Sequence, residues 1–327
     1  MYQCYNVVFT IKSPLHIGFL PALGSSVVSQ TRYYVPGKNL WGAITRRITE
    51  NLSNKPVPED YQNIGKAVKD IFRFSYFYIY DSEIIYFPEY NENEGIVFGE
   101  KDVLGKVKTK PEFEAKFIGS RVLTEIEHDS NTAKDKSLHE IEYIKDGYID
   151  DSGNIRKTKL VGCIFIKDEC QMPCIDTKKN IEIKDNGIFI GNFNLIEELT
   201  LGGEQNYGFG LVEFNSFINE NKFYKEYESS GEDILINIEK ASAILSHLEY
   251  IHNVSFGGDI EILVGRGYYD IKKISEGAET ISKTRDNYYK FPGKVISEPL
   301  YYFSPGTKFG EEIKAILNWD GTMEKVN

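Results

Sequence analysis

Residues 201–210 read Leu-Gly-Gly-Glu-Gln-Asn-Tyr-Gly-Phe-Gly, with glycines at 202, 203, 208 and 210. Glycine accepts positive φ and lets another backbone come close, and the exposed amides of such a loop can hold an anion. That chemistry suits a phosphate backbone. The alternative is a turn that only reverses the chain. A strand-like run, Leu211-Val212-Glu213-Phe214, follows the loop. Before it, residues 193–199 place Phe193, Ile196 and Leu199 on one face of a short helix. The order helix, loop, strand is the reverse of a dinucleotide fingerprint or a P-loop, and no Gly-Lys-Ser/Thr is present.

Other reactive side chains are sparse. His16 closes the first strand-like run in Leu15-His16-Ile17 and is the one imidazole near the first helix. Residues 18–38 contain no Asp and no Glu, so that loop lacks a carboxylate to bind a divalent metal or move a proton. His128 stands among Glu125, Glu127 and Asp129, which reads as a solvated acidic face rather than a metal site. Cys4, Cys163, Cys170 and Cys174 do not have zinc-site spacing and read as reduced thiols. No metal and no cofactor are expected.

The elements that must position these residues follow from periodicity. Residues 5–11 alternate and are β-branched and aromatic, hence a strand. Leu40, Ile44 and Ile48 share one face of a first helix capped by Asn39, with Arg46 and Arg47 flanking that face. Residues 51–63 hold two prolines and read as a polar linker, and residues 71–80 as a strongly aromatic strand. Residues 81–156 are charged and heterogeneous and do not read as a layer of core strands, whereas 160–166 form a continuous apolar run typical of a buried strand. Residues 1–217 thus give the order β-α-β, long insertion, β-α-β. This is a ferredoxin-like (RRM-like) α+β core, with an insertion too long to be a plain hairpin loop. Residues 218–327 read as a separate α+β region, helical near 240–250 with strands near 259–264 and 295–303, and could be a second, degenerate unit of the same kind.

The bulk numbers exclude several classes. Thirty-eight Lys and Arg against 49 Asp and Glu give a net charge of −11, which argues against indiscriminate nucleic-acid binding by the chain alone. No apolar run reaches bilayer length, and the N-terminus begins directly as a strand with no basic leader. A cytoplasmic protein with no membrane partner is expected.

Five segments, Ser13–Gly18, Tyr34–Ile44, Ile71–Glu83, Ser120–Ala133 and Gly202–Gly210, stand in the order of similar segments in a known family, and through them the chain resembles the RAMP superfamily of CRISPR effector proteins. Residues 13–18, Ser-Pro-Leu-His-Ile-Gly, resemble that family's first-strand end. Residues 34–44, Tyr-Val-Pro-Gly-Lys-Asn-Leu-Trp-Gly-Ala-Ile, are similar to its Pro-Gly helix start, with Lys38-Asn39 in place of a Ser pair and Trp41 in place of a basic residue. Residues 71–83 resemble its second strand and acidic turn, residues 120–133 its arginine-led thumb, and 202–210 its glycine-rich loop. The match spans residues 13–214 and leaves the C-terminal third largely outside.

The resemblance implies an RNA-binding ferredoxin-like domain over 1–217 with a thumb-like insertion at about 81–156. It also implies membership of a type III-like effector. The expected partners are crRNA, backbone RAMP subunits and a large polymerase-like subunit. Because the first loop lacks the Asp with which some backbone subunits cut target RNA, a non-catalytic capping or terminal subunit is expected. The alternatives are a metal-independent processing endoribonuclease using His16 and a protein–protein scaffold. The RNA contacts expected are Lys38, Arg46, Arg47, Arg121, Gly202, Gly203, Gln205, Asn206, Tyr207, Gly208 and Gly210. Cations neutralise phosphates, loop amides position the backbone and Tyr offers a stacking face. Lys106, Lys108 and Lys110 form a further basic run, or a solvated charged loop.

Overall fold

The first strand, Tyr2–Ile11, buries both of its faces. Val7, Phe9 and Ile11 enter one apolar core, while Tyr2 and Val8 enter a second. The strand Lys159–Lys167 divides by the same parity, with Leu160, Ile164 and Ile166 on the first side and Val161, Cys163 and Phe165 on the other. Side chains alternate across a strand, so an apolar run without polar alternation needs cover on both faces. In this computed structural model, residues 1–18, 28–100, 106–124, 132, 138–168, 170–173, 178–219, 223–224, 227–231, 233–263, 266–267, 295–296 and 300–326 are described.

The two strands are antiparallel neighbours at the centre of a seven-stranded sheet. Its order is Glu198–Thr200, Leu211–Ile218, Tyr2–Ile11, Lys159–Lys167, Phe77–Tyr80, Tyr34–Val35, with Phe72–Phe74 also on Lys159–Lys167. Helices α1 (Gly37–Leu52) and α2 (Pro58–Ile71) pack on one face through Leu40, Ile44, Ile48, Ile64, Val68 and Ile71. A second seven-stranded sheet covers the other face; it runs Tyr227–Ser230, Asp233–Ile238, Ile313–Leu317, Met323–Lys325, Leu248–Glu249, Leu300–Phe303, Ile260–Leu263. Its Ile234, Ile236, Leu317 and Met323 share a core with Tyr76, Tyr78 and Phe165 of the first sheet. The protein is mixed α and β and rich in strand.

Four expectations are corrected. Residues 193–199 are not helical: they run from the strand Phe193–Asn194 through a turn to Glu198–Thr200. The Asn194 side chain accepts the Ile196 N–H at 3.2 Å, and such a local bond competes with helix formation. Residues 240–250 are not helical either. Ala241 has φ 63°, and the Ala241 and Ile244 N–H groups donate to Phe309 O and Thr307 O, both at 2.9 Å. Ile244 and Leu248, four apart and both buried, imitated a helix face. The supposed linker at 51–63 contains the start of α2, because Pro58 occupies its first turn and the Asp60 carboxylate accepts the Val57 N–H at 2.9 Å. In α1 the cap residue is Pro36 rather than Asn39, and Gly37 sits where a Cβ would lie 2.6 Å from Phe74 O and 2.8 Å from Asp320 O.

The insertion is better built than its composition suggests. Helix α3 (Lys110–Phe117) buries Phe113 and Phe117, with Phe98 stacked on Phe113 at 4.2 Å. The strand Ile118–Leu123 that follows pairs with His139–Ile144. The His128 cluster and Cys174 lie outside the described residues. Cys4, Cys163 and Cys170 are free thiols.

Candidate nucleic-acid interface

The glycine loop joins two antiparallel strands, Glu198–Thr200 and Leu211–Ile218. Its base is locked onto the chain just after the first strand. Gly203 N–H donates to His16 O at 2.9 Å and Gly210 N–H to Pro14 O at 2.8 Å, and Leu201 N–H reaches Gly210 O at 2.9 Å. Two of the glycines are explained by this packing. At Gly202 (φ 75°) a Cβ would stand 2.2 Å from His16 O, and at Gly210 (φ 92°) 2.1 Å from Leu201 O. Gly208, at φ 79°, has open space around it.

The tip is a short 3-10 turn, Gln205–Tyr207, entered through Glu204 in the left-handed region at φ 56°. A non-glycine residue there costs about 1–3 kcal/mol and persists only where surroundings impose it. The Gln205 amide donates to Gly202 O at 3.0 Å, and its oxygen accepts from Arg46 Nη1 at 3.2 Å. Tyr207 is 60% exposed, while Phe209 turns inward against Tyr143. Arg121, exposed on the strand Ile118–Leu123, lies with its guanidinium 5.4 Å from the Phe209 ring centre. The loop therefore has Arg46 at one end and Arg121 at the other, with an exposed ring between.

The remaining expected contacts are used elsewhere. Arg47 donates to Asn194 O at 3.0 Å and lies over Phe193, so it braces the turn before the loop. Arg46 also pairs with Glu50 at 2.8 Å. Lys38 stands at the opposite end of α1, about 12 Å along its axis from Arg46. Burial pushes its ammonium pKa down to about 8, only partly opposed by Asp320. Lys106 is paired with Glu83 and Lys110 with Glu114.

His16 is 4% exposed. Glu142 O, which can only accept, lies 2.7 Å from Nδ1 and makes that nitrogen the donor, while Nε2 faces Ser29 Oγ at 3.4 Å. Both ring nitrogens point into the protein, and the backbone oxygen of His16 supports the loop. His247, which has no obvious partner in the sequence, is fully buried between the Tyr76 hydroxyl at 2.6 Å and the Glu261 carboxylate. Nor did the sequence single out Arg32, which forks onto Glu261 at 2.9 and 2.7 Å.

The aromatic face of the first sheet is closed. RRM-type sheets stack bases on such rings, but Tyr76 and Tyr78 are 1% exposed beneath the C-terminal sheet. An interface with RNA must therefore use loops and edges. No helix among the described residues is long and apolar enough to cross a membrane.

No protein-family model matches this chain, and no curated protein matches it. Among solved structures, a chain of the Type III-B Cmr-beta complex bound to cognate target RNA and AMPPnP is similar at 15% identity, over 93% of this chain and 85% of that one, with a TM-score of 0.49. A second Cmr-beta structure, bound to cognate target RNA, gives 14% identity, 93% and 86% coverage and a TM-score of 0.48. Pyrococcus furiosus Cmr4 (Cas7) is similar over 67% of this chain and 100% of that one, at 14% identity and a TM-score of 0.26. These neighbours are RAMP-type CRISPR subunits, the class that the sequence motifs resemble. At such identities and scores the likeness assigns no residue a role.

Proposed function

We propose that this chain is a non-catalytic crRNA-binding RAMP subunit of a type III-like CRISPR effector, in a capping or terminal position, acting in cytoplasmic antiviral defence. The observation that carries it is the glycine loop. Its base is fixed by backbone bonds to Pro14 and His16, while its tip offers Tyr207 to solvent between Arg46 and Arg121. A rigid base with an exposed ring and flanking cations is what a single strand needs for stacking and phosphate contact. A ferredoxin-like origin for residues 1–217 belongs to this reading. It is supported by the order of the four expected strands, fourth, first, third, second, although hairpins replace the second helix. The C-terminal sheet and the carboxylate-free stretch 18–38 support a terminal, non-cutting subunit. With a net charge of −11, retention of RNA is expected only beside partner subunits, the backbone RAMP subunits and the large polymerase-like subunit.

The test is Tyr207→Ala in the assembled complex. The exposed ring makes no core contact, so the melting temperature stays within about 1 °C of wild type, in line with exposed-site substitutions. Loss of a stacking face worth about 1–3 kcal/mol per base lowers guide-RNA cross-linking to this chain several-fold. Reduced stability with unaltered cross-linking would remove the loop from the interface.

A second expected outcome concerns cleavage. Guide repeat and target RNA incubated with the isolated chain, with or without Mg²⁺, stay intact. Cuts that disappear on His16→Ala would instead establish the endoribonuclease.

A further inference from the structure

The segment 28–32 ties the candidate RNA loop to the C-terminal sheet. Val28 and Ser29 pair with Glu140 and Ile141. Ser29 Oγ faces His16 Nε2. Thr31 Oγ1 accepts the Ile17 N–H at 2.9 Å, and Arg32 N–H donates to Ile17 O at 2.7 Å. Residues 16 and 17 are thus held from the side opposite the glycine loop, which itself packs on His16 O and on the Ile17 side chain. At its far end the segment finishes in Arg32, whose guanidinium is 11% exposed and forks onto both carboxylate oxygens of Glu261. Glu261 lies on the strand Ile260–Leu263 of the C-terminal sheet, where His247 and Ser304 also donate to it.

We propose that Glu261, acting through Arg32, is a positioning residue for the glycine loop: it fixes the 28–32 segment, which fixes residues 16–17, on which the loop is seated. A bidentate guanidinium–carboxylate pair sets direction as well as distance, and Arg32 Nη1 also donates to the Tyr34 hydroxyl at 2.9 Å. The C-terminal sheet thereby helps set the geometry of a site built wholly from the first 217 residues. The step from loop geometry to RNA rests on the function proposed above.

The test uses the full chain and reads the loop directly. Glu261→Gln keeps the shape but replaces the second acceptor with an amide donor, so the fork cannot close. Hydrogen exchange is measured on peptides covering 199–212, 2–11 and 313–325. The 199–212 peptide is expected to exchange several-fold faster, with 2–11 unchanged. Arg32→Lys, which keeps the charge and loses the fork, gives the same pattern more weakly and serves if Glu261→Gln does not fold. Adding Arg32→Met to Glu261→Gln produces no further acceleration. Unchanged exchange at 199–212 in a folded variant, or acceleration confined to 313–325, overturns the proposal and leaves Glu261 as an anchor of its own sheet. Guide-RNA cross-linking in the assembled complex separates the two readings. If loop exchange rises while neither Glu261→Gln nor Tyr207→Ala alters cross-linking, the positioning role stands and the RNA role of the loop falls.

Discussion

Gly210→Ala is expected to lower stability by about 3 kcal/mol or more, whereas Gly208→Ala costs about 1 kcal/mol. Both positions have positive φ, at 92° and 79°, so both substitutions carry the conformational penalty of about 1–3 kcal/mol. They differ in what a new methyl group meets. At Gly210 it would lie 2.1 Å from Leu201 O, and the two residues are clamped by the Leu201 N–H bond to Gly210 O. Overpacking of this kind adds roughly 1–3 kcal/mol, and neither backbone can retreat without breaking the bond. At Gly208 nothing lies within 4 Å. Melting of the two variants side by side checks this. Equal losses would mean that the close approach at the loop base does not exist in solution. Gly208→Ala, if folded, then reports RNA retention with the base intact.

The second large effect is expected at Arg32→Met, at about 3 kcal/mol, the low end for breaking a buried pair, because Glu261 loses its bidentate partner and keeps only His247 and Ser304 to hold its charge. Its dependence on pH carries a sign. Burial alone would raise the Glu261 pKa, but hydrogen bonds from His247 and Arg32 outweigh that and hold it far below its ordinary 4.5. Burial also pushes the His247 imidazole below its ordinary 6.5. Both groups have depressed values in the fold. Their contributions are therefore present above the unfolded values and lost as pH falls. Wild-type stability should begin to decline on acidification past about 6.5 and decline further below 4.5. In Arg32→Met the carboxylate has lost a partner that held it ionised. The gap between variant and wild type should narrow in the carboxylate range as Glu261 protonates. Chemical denaturation across the neutral-to-acid range measures this; a gap that stays constant through the carboxylate range counts against Glu261 as the cause.

The central strands were legible because their signal is local. Alternation over 5–11 and the apolar run at 160–166 each demand burial whatever surrounds them. What covers the second face was not legible, since that cover arrives from residues 233–325. The start of α2 was hidden because Pro58 was read as a breaker, although its missing N–H is no loss in a first turn. The glycine loop was visible as composition, but the reasons for Gly202 and Gly210 lie in the His16 and Leu201 carbonyls, which no spacing rule connects to them. Arg46 and Arg47 show the same limit. They are adjacent in sequence and differ by about 100° around the helix, so one reaches the loop tip and the other braces Asn194. Arg32 had no signal at all, being a lone cation in a polar stretch whose partner is 229 residues away.

The closed aromatic face has a consequence for how the chain comes to be made. Tyr76, Tyr78 and Phe165 leave the ribosome long before the strands that cover them, Asp233–Ile238, Ile313–Leu317 and Met323–Lys325. At ordinary elongation rates of about 5–20 residues per second, the stretch from Phe165 to the last covering strand takes on the order of 10–30 s. Throughout that time the nascent sheet displays a wide greasy surface. A chaperone or a co-translationally arriving neighbour would find its foothold there, and a ribosome stalled in the last third would release a species prone to aggregate.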